Sequence, residues 1–253
     1  MDRPARPVLD RLRADIVRLE ARDPSRPQSV HPFGLDALDA RLPGGGLARA
    51  ALHEVAGGGA DVVHGTAAAL FAAGILARLH GPVLWCLTRP DLFAPALQQA
   101  GLHADRVIYA EAGDDPGVLA CAEEGLRHGG LGGVVAEVGK LGMTASRRLQ
   151  LAAEEGATLG LALRRWRRPA EAADFGQPTA ARTRWRVTAL PSAPLPVPGM
   201  GRARWLVELV RARAGGSVDV VVEACDEAGR LALPAKLAHR SAEAPPGRRR
   251  AAS

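Results

Sequence analysis

Between Gly34 and Trp166, short apolar blocks alternate with longer stretches whose apolar residues recur at helical spacing. The blocks ALHEVA, PVLWCLT, RVIYA, LGGVVAEV and TLGLALRRW read as strands, and their apolar residues follow one another instead of alternating with polar ones. Strands buried on both faces have that texture, because helices cover both sides of a parallel sheet. The intervening stretches 65–80, 91–100, 115–128 and 144–155 predict helices. Strand followed by helix, repeated along the chain, predicts an α/β fold with a parallel sheet flanked by helices.

The two ends break this rhythm. Within residues 8–22, Val8, Leu9, Leu12, Ile16 and Leu19 share one face of a helix whose other face is charged. The stretch RDPSRPQSVHP then interrupts it with three prolines. A helix set apart in this way needs a surface for its apolar stripe, so Leu9, Leu12, Ile16 and Leu19 are candidate partner-binding residues; folding back on its own domain is the other reading. After Trp166 the pattern changes: RWRVTAL reads as a strand, and RARWLVELVRAR, SVDVVVEACDEAG and RLAL read as two or three antiparallel strands. Between them PSAPLPVPG, with four prolines in nine residues, cannot be a central strand. The expected organisation is an N-terminal helix and linker at 1–30, an α/β core at 31–168, a β-rich extension at 169–240 and a disordered basic tail at 241–253.

Composition sharpens the picture in two ways. The chain has 253 residues and a net charge of +6, with 31 arginines against two lysines, Lys140 and Lys236. Such a balance favours acidic partners, nucleic acid above all, and arginine's planar fork suits phosphates and carboxylates. Three widely spaced cysteines, Cys86, Cys121 and Cys225, make no metal motif and read as reduced thiols of a cytoplasmic protein. The longest apolar run, Ala67–Ala77, is too short for a membrane span.

The stretch EVAGGGADVVHGTAAAL (54–70) has the layout of a phosphate-binding loop, with an apolar strand, a glycine cluster and a helix. Working loops cradle phosphates on backbone N–H groups, place a lysine on the terminal phosphates and use Ser or Thr for magnesium. Gly57, Gly58, Gly59, Gly65 and Thr66 are the candidate nucleotide-binding residues, yet no frame puts a lysine in its slot. Counted from Gly57 the slot holds Val63; counted from Gly65 it holds Thr66; with Thr66 as the hydroxyl it holds Gly65. Asp61 adds a negative charge that opposes phosphate. The sequence therefore offers no catalytic residue, no metal site and no cofactor.

The ordered run HPFGLDALDARLPGGGLARAALHEVAG resembles the approach to the nucleotide site of RecA-like recombinases. Together with VLWCLTRPDLFAPALQQAG, LRRWRRP, TRWRV, PSAPLPVPGMGRARWLVEL and CDEAGRLALP, it is more similar to a degenerate branch, the ImuA family. The resemblance implies a RecA-like core and an accessory role in SOS-induced, error-prone translesion DNA synthesis. It also implies a Y-family-like polymerase partner (ImuB) and an error-prone DNA polymerase III alpha-type subunit. RecA, single-stranded DNA and self-association stay open. The sequence departs from active recombinases twice more: Thr88 and Arg89 stand where a catalytic glutamate would be, and Ala136 stands where an aspartate would support magnesium, with Glu137 one place late. A non-catalytic adaptor is therefore expected. The alternative is a DNA-stimulated ATPase that draws its phosphate cation from Lys140 or Arg89.

Seven arginines crowd residues 164–186, and Trp166 and Trp185 lie among them. Arginine beside aromatics is how single-stranded nucleic acid is held. Arg164, Arg165, Trp166, Arg167, Arg168, Arg182 and Arg184 are thus candidate DNA contacts, against the plainer reading that RWRV is a half-exposed strand with Trp185 and Val187 inward.

Overall fold

The computed structural model describes residues 29–59, 61–166, 169–193, 195, 198–212 and 216–234. The expected N-terminal helix, with Leu9, Leu12, Ile16 and Leu19, and the basic tail both lie outside the described residues. A short antiparallel pair, β1 (Val30–His31) with β2 (Leu47–Ala48), brackets the single-turn helix α1 (Asp36–Asp39). The alternation of strand and helix then runs as expected: β3 (Leu52–Gly57), α2 (Asp61–Ala77), β4 (Val83–Leu87), α3 (Ala94–Gln99), β5 (Val107–Glu111), α4 (Asp115–His128), β6 (Gly133–Val138), α5 (Met143–Glu155) and β7 (Leu159–Arg164). A 3₁₀ segment, Pro169–Gly176, leads to β8 (Thr183–Leu190), β9 (Arg204–Ala212) and β10 (Val218–Glu223).

These strands form one eight-stranded sheet in the order β10-β9-β8-β3-β7-β6-β4-β5. Strand β8 pairs with β3 in parallel, and β9 alone runs against the others, pairing antiparallel with both β8 and β10. The expected boundary at 168/169 therefore does not divide the sheet. The third block, RLAL, contributes a single bridge between Glu223 and Ala232 in place of a strand.

Local chemistry sets the element ends. Helix α4 begins where the Asp114 side chain accepts from the Gly117 N–H at 2.8 Å, has a proline in its first turn, and ends at Gly129 in the left-handed region (φ 73°). The crossovers place α2 against one sheet face and α4 with α5 against the other. On the first, Phe71, Ile75 and Leu76 pack against Val55, Trp85, Leu161, Trp185 and Val187. Phe33, Phe71 and Trp185 meet there with ring centroids 5.1–6.0 Å apart. On the second, Val118, Leu126, Leu149 and Ala152 cover Leu52, Val134, Ala136 and Ala162.

Candidate functional site

The glycine loop lies at the carboxyl end of β3, as the sequence predicts, but it is shorter. Helix α2 starts at Asp61, so Gly65 is buried and Thr66 exposed within the helix, and neither belongs to a loop. Strand β8 runs past the end of β3 and covers what remains. The Gly58 N–H donates to the Val187 carbonyl at 2.9 Å, and the Ala189 N–H donates to His64 Nδ1 at 3.1 Å. A methyl group on Gly58 would lie 1.7 Å from Thr188 Oγ1. One on Gly57 would meet the His64 backbone at 2.9 Å, and one on Gly59 the His64 ring. The glycines are thus required for contact with the protein itself.

Beneath this loop is a buried ion cluster that the sequence reading missed. Glu54, on β3, is fully buried, and its two oxygens take Arg164 of β7 (2.6 Å) and Arg184 of β8 (2.9 Å). Thr179 Oγ1 donates to Glu54 Oε2 at 2.9 Å. Arg164 also donates to the Gly139 carbonyl and pairs with Asp174 of the 3₁₀ segment. The two charges of each sign offset one another, which a cluster this dry requires. The signal was present: a carboxylate inside an apolar strand must have partners.

This cluster corrects the DNA-contact expectation for several residues. Arg164 and Arg184 are buried because β7 and β8 aim them at Glu54. Trp166 is buried against Phe175 and Ala56, with ring centroids of Trp166 and Phe175 5.5 Å apart. Arg165 and Arg182 are half-buried, and Arg167 and Arg168 lie outside the described residues. Trp185 and Val187 face inward, as the alternation of RWRV predicts.

A second polar centre stands at the carboxyl ends of β4 and β6. It borders a cavity of about 440 Å³ lined by residues that include Arg89, Asp91, Glu137, Lys140 and Arg165. Glu137 is buried, accepting from Trp85 Nε1 at 2.7 Å and from Arg165 at 2.8 Å, while Arg165 also pairs with Asp91 at 3.1 Å. Burial pushes the Glu137 carboxyl above the ordinary value, and Arg165 opposes that shift. Ala136, by contrast, faces α4 and α5; the one-place offset puts Glu137 on the other face of the sheet. Among the described residues no group of three His, Cys, Asp or Glu side chains could hold a metal ion. None of the described helices is long and apolar enough to cross a membrane.

Known proteins similar to this chain bear on both the fold and the family. The RadB recombinase superposes on 81% of this chain and 100% of its own, with a TM-score of 0.53 and 16% identity, so the fold is RecA-like. SulA from Pseudomonas aeruginosa matches 45% of this chain and 96% of its own at 25% identity, but its TM-score of 0.39 is too low to argue from. No protein-family model matches. Protein ImuA from two strains of Caulobacter vibrioides, NA1000 / CB15N and CB 15, is 38% identical over 227 residues, 86% of this chain and 92% of the relative. At that identity and coverage, the chain belongs to the ImuA family.

Proposed function

We propose that this chain is a RecA-like accessory protein without ATPase activity, an adaptor in induced, error-prone translesion DNA synthesis. The observation that carries the non-catalytic part is the filled crevice above β3. The Gly58 N–H that would face a phosphate donates to Val187, and Thr188 and His64 pack onto the loop. The setting rests on the family resemblance, which supplies the partners: a Y-family-like polymerase (ImuB) and an error-prone DNA polymerase III alpha-type subunit, with RecA and single-stranded DNA as further candidates. Burial of Arg164, Arg184 and Trp166 moves the weight of the proposal from DNA contact to protein contact.

The ATPase alternative needs Arg89 or Lys140 at the glycine loop. Arg89 follows β4, three strands from β3, and Lys140 follows β6, two strands away. At about 4.8 Å per strand these offsets are roughly 14 and 10 Å, which separates both cations from the loop. The test is phosphate release with magnesium and ATP, with and without single-stranded DNA, joined to complementation of damage-induced mutagenesis. No turnover is expected. Thr66→Ala, at the hydroxyl that the sequence places in the magnesium position, is expected to restore mutagenesis fully in a deletion strain. DNA-dependent turnover that Thr66→Ala abolishes would overturn the adaptor reading.

A further inference from the structure

The connections of the sheet diverge at two places. Strand β8 leads toward β9 while β3 leads the other way toward β4, and β6 leads toward β7 while β4 leads toward β5. Open α/β sheets bind ligands at such points, outside the carboxyl ends of the strands. The first crevice is filled by the protein's own chain, whereas the second holds the cavity of about 440 Å³. Sites for small ligands span roughly 300–1,000 Å³.

We propose that this second crevice binds a phosphorylated sugar, of a size up to a mononucleotide. The proposal goes beyond the adaptor reading and does not depend on it. Most charges in the lining are already matched: Glu137 by Trp85 and Arg165, Asp91 by Arg165, Asp115 by the Gly139 and Lys140 N–H groups, and Asp114 by the Gly117 N–H. Arg89 and Lys140 are different. Both are exposed, both line the cavity, and neither side chain has a hydrogen bond or ion pair among the described residues. An ammonium and a guanidinium left free beside one cavity are the donors a phosphate takes as charge-assisted bonds. The carboxylates keep lone pairs that can accept sugar hydroxyls, and Asp91 is half open to solvent. Such a lining suits a ligand that is anionic at one end and rich in O–H donors at the other. Gly113, in the left-handed region at φ 78°, leaves open space where a side chain would stand, so a ligand can approach the backbone. The lining contains no aromatic ring, which places recognition on sugar and phosphate instead of on a base.

Calorimetry on the full chain tests this with ribose 5-phosphate, adenosine monophosphate, inorganic phosphate and single-stranded DNA as separate titrants. Saturable binding of ribose 5-phosphate is expected, tighter than that of inorganic phosphate. Lys140→Ala and Arg89→Ala, both at exposed positions, should each weaken it about ten-fold or more without changing the melting temperature. Three results would each overturn the site: no sugar-phosphate binding at millimolar ligand, binding that neither substitution affects, or inorganic phosphate binding as well as the sugar phosphate. Adenosine monophosphate binding without ribose 5-phosphate would overturn the sugar-phosphate class. DNA binding through Arg89 and Lys140 without either small ligand would make the crevice a nucleic-acid contact and overturn it too. A nucleotide held by the glycine loop would be insensitive to Lys140→Ala and Arg89→Ala and sensitive to Thr66→Ala, so failure of this proposal is distinguishable from failure of the adaptor reading.

Discussion

Two crevices open at the carboxyl edge of one sheet, and they have met opposite fates. Between β3 and β8 the chain has closed the space. Strand β8 accepts the Gly58 N–H on its Val187 carbonyl and donates its Ala189 N–H to His64 of the following helix, and the floor is the fully buried Glu54 with Arg164 and Arg184. Between β4 and β6 the space remains, and its ion cluster of Glu137, Arg165 and Asp91 grades from buried to half-exposed. The difference teaches that losing a nucleotide loop's chemistry and losing its cavity are separate events. A substituted lysine slot removes the cation that a phosphate loop uses, whereas a strand laid over the loop removes its space.

The largest expected effect separates the two floors energetically. Glu54→Ala leaves two buried arginines with Asp174 as the one remaining acidic partner among the described residues, a loss expected to cost about 3–5 kcal/mol. Asp91→Ala removes an exposed partner from the open crevice and should cost about 0–1 kcal/mol. Urea unfolding of both variants makes the comparison. Equal losses would mean that the closed crevice is no drier than the open one.

Acid should separate the crevices by sign. His53, on β3, is fully buried; its Nε2 meets the Ala48 carbonyl at 2.9 Å, so it carries the proton, and Nδ1 accepts from Thr183 Oγ1 on β8 at 2.7 Å. Burial, aided by Arg182, lowers its pKa from 6.5 to about 4. A base depressed in the folded state contributes stability that is complete above pH 6.5 and lost as pH falls toward 4, here about 3 kcal/mol. His31, also lowered to about 4 by burial and by Arg78, adds in the same direction. Glu137 runs the other way: its raised pKa gives stability that is present below its ordinary value of 4.5 and lost as pH rises through the folded value. Stability measured from pH 4 to 6.5 should therefore rise less steeply in His53→Gln and more steeply in Glu137→Gln. Matching slopes in the two variants would remove the distinction.

Much of the fold was legible because it rests on local pattern. Continuous apolar blocks marked β3 to β7, and helical spacing marked α2 to α5, within a few residues at their ends. The site was less legible because its decisive contacts are not local. Glu54 meets partners 110 and 130 residues away, and nothing in RWRVTAL announces that β8 lies parallel to β3. Arg184 and Trp166 read as a nucleic-acid surface for the same reason: residue type gives the charge and the ring, but only the sheet order gives the carboxylate, and only the packing of the 3₁₀ segment gives the phenylalanine, that hold them inside. Glu54 could have been singled out as a carboxylate in a largely apolar strand, as Glu137 was, though Glu137 was read there only against a magnesium position.

The smallest expected effect tests whether the closed crevice is closed by contact. Gly58 and Gly139 end strands at the two crevices, and neither has a backbone that only glycine adopts. An added methyl group at Gly58 falls 1.7 Å from Thr188 Oγ1 and 2.8 Å from its Cβ, so rotating the hydroxyl away does not free the space. At Gly139 the nearest atom is Asp115 Oδ2 at 3.4 Å, an ordinary contact. Gly58→Ala should therefore cost about 1–3 kcal/mol as overpacking, while Gly139→Ala stays within about 0.5 kcal/mol. Thr188→Ala removes the hydroxyl but keeps the Cβ, so the double variant with Gly58→Ala should recover part of the loss and not all of it. Additive losses in that cycle would place Thr188 away from the loop, and the crevice would then not be closed by this contact.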